Sequence, residues 1–155
     1  MDVFPLPCLH DNYAYLLVCP QTQVTAVVDP SAAEPVQVEL QRRGLSLTAI
    51  LNTHHHWDHV GGNEALLAKS PGIRIFGHAS DRGRIPGETE FLEVGDVVRF
   101  GKIAGRILHN PGHTSGAISY VFGDQAFTGD TLFAAGCGRV FEGTMEQMHH
   151  SFPRL

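Results

Sequence analysis

Short blocks of apolar residues, each broken by turn-forming residues, run along the whole chain. Val3 to Leu6, Tyr13 to Val18 and Val24 to Val28 are rich in β-branched and aromatic side chains and are separated by Pro, Asn, Asp and Gln, which predicts three strands in a meander. Asp29-Pro30-Ser31 stops the third. From Glu34 to Arg43, Val36, Val38 and Leu40 stand among polar residues ahead of Gly44, the pattern of an amphipathic helix with a glycine C-cap. Leu47 to Leu51 is a compact apolar run that fits a buried strand. A helix over Asn63 to Lys69 and a strand over Ile73 to Phe76 follow. Gly101, Gly105, Gly116 and Gly123 then divide the apolar residues into four more strands, 97–100, 103–108, 117–122 and 125–128. Thr144 with Gln147 three positions later makes a capping-box pattern for a last helix reaching Pro153. Strands first, then strand and helix in alternation, then strands again, predict an α+β chain whose sheet layers are covered by helices.

At 155 residues the chain suits one compact domain over 1–155 and leaves no room for a second. Its apolar fraction of 43% and charged fraction of 17% exclude a disordered tail or a coiled coil. The net charge of −5, with 16 acidic against 11 basic residues, argues against a nucleic-acid partner. The start lacks a basic, then apolar, leader, and no stretch approaches the ~18 apolar residues of a membrane span, so a soluble protein is expected. Three cysteines without a CxxC pair point to a reducing, cytoplasmic compartment. Ten histidines is the unusual count, and their grouping carries the chemistry.

His54-x-His56-x-Asp58-His59 places four metal-competent side chains directly after the Leu47–Leu51 strand. In extended backbone, residues 54 and 56 point the same way and can grip one ion. Asp58 and His59 diverge, so the cluster is expected to feed two ions rather than close on one. His113 on the Pro111-Gly112 turn and Asp130 after the 125–128 strand supply further donors. A carboxylate can bridge two cations, which makes Asp130 the candidate shared ligand. The first ion then has His54, His56, His113 and Asp130; the second has Asp58, His59 and Asp130, one protein ligand fewer. Two cations about 3.5–4 Å apart make a water nucleophilic at neutral pH, so the expected chemistry is metal-assisted hydrolysis, with Asp58 as candidate catalytic residue. His55 faces away from its neighbours in this reading, Trp57 is expected to pack, and His10, His78, His109, His149 and His150 are expected to be surface or capping residues.

The stretch Thr53-His54-His55-His56-Trp57-Asp58-His59-Val60-Gly61-Gly62-Asn63, with His113 in Pro-Gly-His-Thr-Ser-Gly and Asp130 in Thr-Gly-Asp-Thr-Leu-Phe, resembles the signature of the metallo-β-lactamase superfamily. The run from Asp130 through Gly136-Cys137-Gly138-Arg139-Val140-Phe141-Glu142-Gly143-Thr144, and the opening Leu9-His10-Asp11-Asn12-Tyr13, narrow the resemblance to the hydroxyacylglutathione hydrolases, or glyoxalase II. The resemblance implies an αβ/βα sandwich and two divalent ions, zinc with iron or manganese as alternatives. It also implies hydrolysis of S-D-lactoylglutathione to glutathione and D-lactate, a step of methylglyoxal detoxification, and a role for Arg139 at the carboxylate of the glutathione moiety. Phe141 stands where some members carry a hydrogen-bonding tyrosine. Members of that family continue past the length of this chain, through strands bearing a last histidine ligand and a helical glutathione-binding domain. A chain without them is expected to bind the first ion well and the second weakly, with little or no turnover. A persulfide dioxygenase, a β-lactamase and a non-catalytic metal-binding remnant are the competing readings.

Overall fold

The computed structural model describes residues 1–155, apart from the side chain of Arg154. Its first sheet runs β1 (Asp2–Cys8), β2 (Asn12–Val18), β3 (Thr25–Val28), β4 (Leu47–Leu51), β5 (Arg74–His78) and β6 (Glu90–Leu92), in that spatial order. The first three strands pair antiparallel, as the predicted meander requires, and β3 to β6 pair parallel. Parallel pairing demands crossovers, and these carry α1 (Ala33–Arg43), the single turn α2 (Trp57–Val60) and α3 (Asn63–Lys69). The second sheet is wholly antiparallel, β7 (Val97–Phe100), β8 (Ile103–His109), β9 (Ile118–Phe122) and β10 (Gln125–Phe127), ordered β10-β9-β8-β7. A final helix, α4 (Met145–Ser151), starts with the predicted capping box: Thr144 Oγ1 accepts from Gln147 N and Gln147 Oε1 accepts from Thr144 N. Met148 on α4 is buried, and Ser151 Oγ donates to Pro111 O.

The two-residue period of the strands sorts the core into two layers. Leu16, Val27, Ile50 and Ile75 face the helix side with Val36, Leu40 and Leu66 of α1 and α3. Their neighbours Leu17, Ala26, Val28, Ala49, Leu51 and Phe76 face the second sheet and meet Phe100, Ile107, Ile118, Tyr120 and Phe122. Truncating a residue such as Ile50, wholly buried, costs about 2–5 kcal/mol. Tyr120 pins the sheets together by donating its hydroxyl to the carbonyl of Asn52, 2.9 Å away, just past β4.

Two expectations need correction. Val38 is not on the buried face of α1; it is 57% exposed, because Val36 and Leu40, four apart, define the buried stripe. Trp57 is not a packing residue: it is 70% exposed. Among the described residues no helix is long and apolar enough to cross a membrane.

Candidate metal centre

Four strands end at one edge of the sandwich, and each hands a polar side chain to the same place. Asp29 follows β3, His54 to His59 follow β4, His113 follows β8, and Asp130 follows β10. The backbone bond from Ile118 N to Thr53 O, 2.9 Å, ties the β4 end to the second sheet. The 57–60 segment is a helical turn rather than extended chain. Adjacent residues on a helix project about 100° apart, which is why Asp58 and His59 diverge.

His54, His56 and His113 offer nitrogens that all lie within 4.8 Å of one another. Their rings are 4.7–4.8 Å apart, centroid to centroid, and stand nearly perpendicular, at 77–89°. His113 Nε2 and His56 Nδ1 are 2.9 Å apart. The hydrogen bonds fix which nitrogens carry lone pairs. Thr53 donates its hydroxyl proton to Asp29 Oδ2 at 2.7 Å, so at 3.1 Å from His54 Nδ1 it can only accept. His54 therefore donates from Nδ1, and its Nε2 presents a lone pair that is buried without a hydrogen-bond partner. His113 Nδ1 donates to the carbonyl of Arg139 at 2.6 Å, which likewise turns Nε2 to the centre. Burial, reinforced by the neighbouring imidazoles, holds His54 well below the usual histidine range and lowers His56 too, so both are neutral at pH 7 and ready to ligate.

A second close group is formed by His54, His59 and Asp130. His59 Nδ1 lies 3.0 Å from Asp29 Oδ2, leaving Nε2 to face Asp130 Oδ1 at 3.1 Å and Asp58 Oδ2 at 3.6 Å. That Nε2 is buried with no partner in hydrogen-bonding geometry. Burial pulls the His59 pKa down, but Asp29 and Asp130 carry it up to about 10, so with no cation beside it the ring itself holds the positive charge between the two carboxylates. Burial works the opposite way on Asp130, yet the contact with His59 holds its carboxyl below the usual range. Asp130 faces both groups, with Oδ2 3.3 Å from His113 Nε2 and Oδ1 toward His59. The orphaned lone pair of His54 Nε2, a second buried imidazole nitrogen on His59 without a hydrogen-bond partner, and a carboxylate set between the groups are the donor chemistry of divalent metal sites, where an ion would take the place of the His59 proton.

The structure thus brings together His54, His56, His59, His113 and Asp130, and sets Asp58 beside them, held by Asn12 Nδ2, which donates to its Oδ2 at 3.3 Å and its carbonyl at 3.1 Å. His55 turns away to Asp81 and Glu142, as expected. His78 caps the short turn at Ala79–Asp81, its Nδ1 accepting from Ser80 N at 3.3 Å, as a capping residue would, and stacks on His109 4.2 Å away at 6°. His10, His149 and His150 lie exposed. Asp29, Thr53 and Asn12 orient the candidate donors without being donors themselves, and no ligand spacing in the sequence marks them. Asp29 reads in the sequence only as a strand stop; a non-glycine residue at φ 47° after a buried strand is the structural signal. Two glycines make room. Gly129, at φ 50°, is where a Cβ would collide with Thr53, and a Cβ on Gly138 would meet Asp130 O and His113 Nδ1 at 2.7 Å.

Two clefts open on this centre. One, about 520 Å³, is lined by His56, Asp58, His113 and Asp130 together with Trp57, Arg139 and Phe141. The other, about 840 Å³, runs past Asp58, His59 and Asp130 over Tyr13, Tyr15 and Phe127. Arg139 is exposed, its Cζ 5.1 Å from the centre of the Phe141 ring.

A model of the metallo-beta-lactamase superfamily matches residues 10–154, and the chain belongs to that superfamily. Among its relatives, the hydroxyacylglutathione hydrolases of Synechococcus sp. (strain JA-2-3B'a(2-13)) and Gloeobacter violaceus are each 54% identical over 157 residues, matching all of this chain and 62% of their own length. The chain therefore spans about three fifths of these relatives. Among solved structures, ETHE1 from Myxococcus xanthus superposes with a TM-score of 0.85 at 32% identity, covering 100% of this chain and 69% of that one. The BLEG-1 B3 metallo-beta-lactamase gives 0.87 at 25%, covering 98% and 84%.

Proposed function

We propose that this chain carries the metal-binding part of a hydroxyacylglutathione hydrolase, which cleaves the thioester of S-D-lactoylglutathione with water to yield glutathione and D-lactate. The observation that supports the reading is the position of Asp130, one oxygen toward His113 and the other toward His59, so that one carboxylate would be available to two ion sites. His54, His56, His113 and Asp130 would hold the first ion, and Asp58, His59 and Asp130 the second, with zinc the best match to imidazole-rich donors and iron or manganese as alternatives. When bound, such a pair lowers the pKa of water and polarises a carbonyl oxygen.

The protein's own groups do the rest. Asp29 and the Arg139 carbonyl lock the ring orientations through His59 Nδ1, Thr53 and His113 Nδ1. Asp58, fixed by Asn12 on the wall of both clefts, orients the attacking water and takes its proton. Arg139, on the lining of the smaller cleft, would pair with a carboxylate of the glutathione moiety, and Phe141, without a hydroxyl, offers only an apolar face. Cys8, Cys19 and Cys137 are all free thiols, which supports the cytoplasmic reading.

The second ion has only three protein donors from these residues, so slow turnover that rises with added zinc is expected. The experiment is loss of thioester absorbance from S-D-lactoylglutathione across a zinc titration, for the wild-type chain and Asp130→Asn. Equal rates for the two at every zinc concentration refute the hydrolase reading. Zinc uptake with no cleavage by either leaves the chain a metal-binding remnant. Oxygen consumption with glutathione persulfide would instead select the dioxygenase.

A further inference from the structure

Behind the first ion site lies a cluster of charged side chains that contributes no donor to it. Asp81 is wholly buried, its Oδ1 3.2 Å from Arg84 Nη1 and 3.2 Å from His55 Nδ1. The Arg84 guanidinium also donates to His55 Nε2 and to both carboxylate oxygens of Glu142. Glu142 Oε2 in turn accepts from the backbone N and the hydroxyl of Ser115, each at 2.9 Å. Segments far apart in sequence are joined by these five residues.

Three of those segments touch the metal centre next door. His55 sits between His54 and His56. Ser115 is two residues beyond His113. Glu142 lies on the segment whose backbone lies along the His113 turn: Phe141 N donates to His113 O at 3.1 Å and Gly143 N to Gly112 O at 3.2 Å. The same segment carries the Arg139 carbonyl that fixes the His113 ring. The packing around the cluster is tight, since a Cβ on Gly116 would meet the Asp81 carboxylate at 2.5–2.6 Å. Glu39 with Arg42 on α1 is the contrasting case, an ion pair on the surface and remote from any donor.

We infer that Arg84 and Glu142 form a clasp of positioning residues, anchored on buried Asp81, that holds the His113 turn and the 139–143 segment against the His54–His56 loop in ion-binding geometry. The inference rests on the metal reading above and adds to it residues that touch no ion and no substrate. Losing the clasp frees the His113 turn without removing a ligand, so affinity falls while the donor count stays.

The test measures Zn²⁺ affinity by competition with a chelating dye, with the visible spectrum of the Co²⁺-loaded chain and the unfolding midpoint of the metal-free chain alongside. Glu142→Gln and Arg84→Met are each expected to weaken zinc binding about 10- to 100-fold, the usual range for outer-shell partners, and to shift the cobalt spectrum. The double variant is expected to be no weaker than the worse single one, because both remove the same clasp. Arg42→Met, which breaks the surface pair, should leave zinc and cobalt readings unchanged. Wild-type affinity and spectrum in both clasp variants, whatever their unfolding midpoints, would overturn the inference. Should Arg84→Met fail to fold, the near-isosteric Glu142→Gln decides. A wild-type chain that takes up no zinc defeats the metal reading itself, and is thereby distinguished from failure of the clasp alone.

Discussion

Replacing Asp29 by Asn removes one charge from the centre without removing a ligand. The aspartate carboxylate accepts three hydrogen bonds, from Thr53 N at 2.8 Å, Thr53 Oγ1 at 2.7 Å and His59 Nδ1 at 3.0 Å. An amide of the same shape keeps the first through its oxygen, but turns an NH₂ toward the other two donors. Asn also tolerates the φ of 47°, so no backbone strain is added. Each charge-assisted bond is worth about 1.5–3 kcal/mol. Both share one oxygen and are not additive, so a loss of about 3 kcal/mol is expected for the metal-free chain. For a chain of this size that lowers the unfolding midpoint by about 6–12 °C. Zinc binding at the His59 side should weaken about 10- to 100-fold, and less at His54, which feels Asp29 only through Thr53. The assays are thermal unfolding in chelator and zinc competition at pH 7. An Asp29→Asn variant with an unchanged midpoint and an unchanged second zinc affinity would refute the claim that Asp29 orients the donors.

Other variants probe separate parts. Asp130→Asn should cut zinc stoichiometry and weaken both ions, whereas an effect confined to one ion would show that the carboxylate is not shared. Arg139→Met should raise KM for the glutathione thioester with little change in kcat, and a fall in kcat at constant KM would deny it a binding role. Glu88 is lifted to about 7, first by burial and then by the charge of Asp81. The unfolded carboxyl ionises near 4.5 while the folded one keeps its proton, so stability is full below 4.5 and is lost as pH rises through about 7. Discounted for solvent screening, Glu88→Gln should be about 1 kcal/mol more stable relative to wild type at pH 9 than at pH 4, measured by urea unfolding; no pH dependence in the difference would contradict this.

Much of this was legible in the sequence wherever structure is local. β7 runs over the predicted residues 97–100, and the Thr144–Gln147 capping box forms as its spacing implies, because short-range hydrogen bonds decide both. The candidate donors His54, His56, His59, His113 and Asp130, which the fold brings together, could be picked out because each follows a strand end and carries a side chain able to ligate a metal. What escaped depends on distant partners. β6 is only Glu90-Phe91-Leu92, a strand by virtue of pairing with β5 and not by any period of its own. The turn α2 begins inside the histidine cluster, where no apolar repeat announces it. Asp29, Asp81, Arg84 and Glu142 are ordinary polar residues until the fold sets them against the donors. Trp57 misled because a large aromatic between polar residues suggests packing, yet it stands on the rim of the cleft.

The most direct measurement is an anomalous-difference map from crystals of the chain grown with zinc. One strong peak should lie about 2.0–2.1 Å from His54 Nε2, His56 Nδ1 and His113 Nε2, with a weaker peak beside His59 Nε2 and the Asp130 carboxylate between them. Zinc peaks away from these atoms, or none at all with waters on His54 Nε2, would contradict the account.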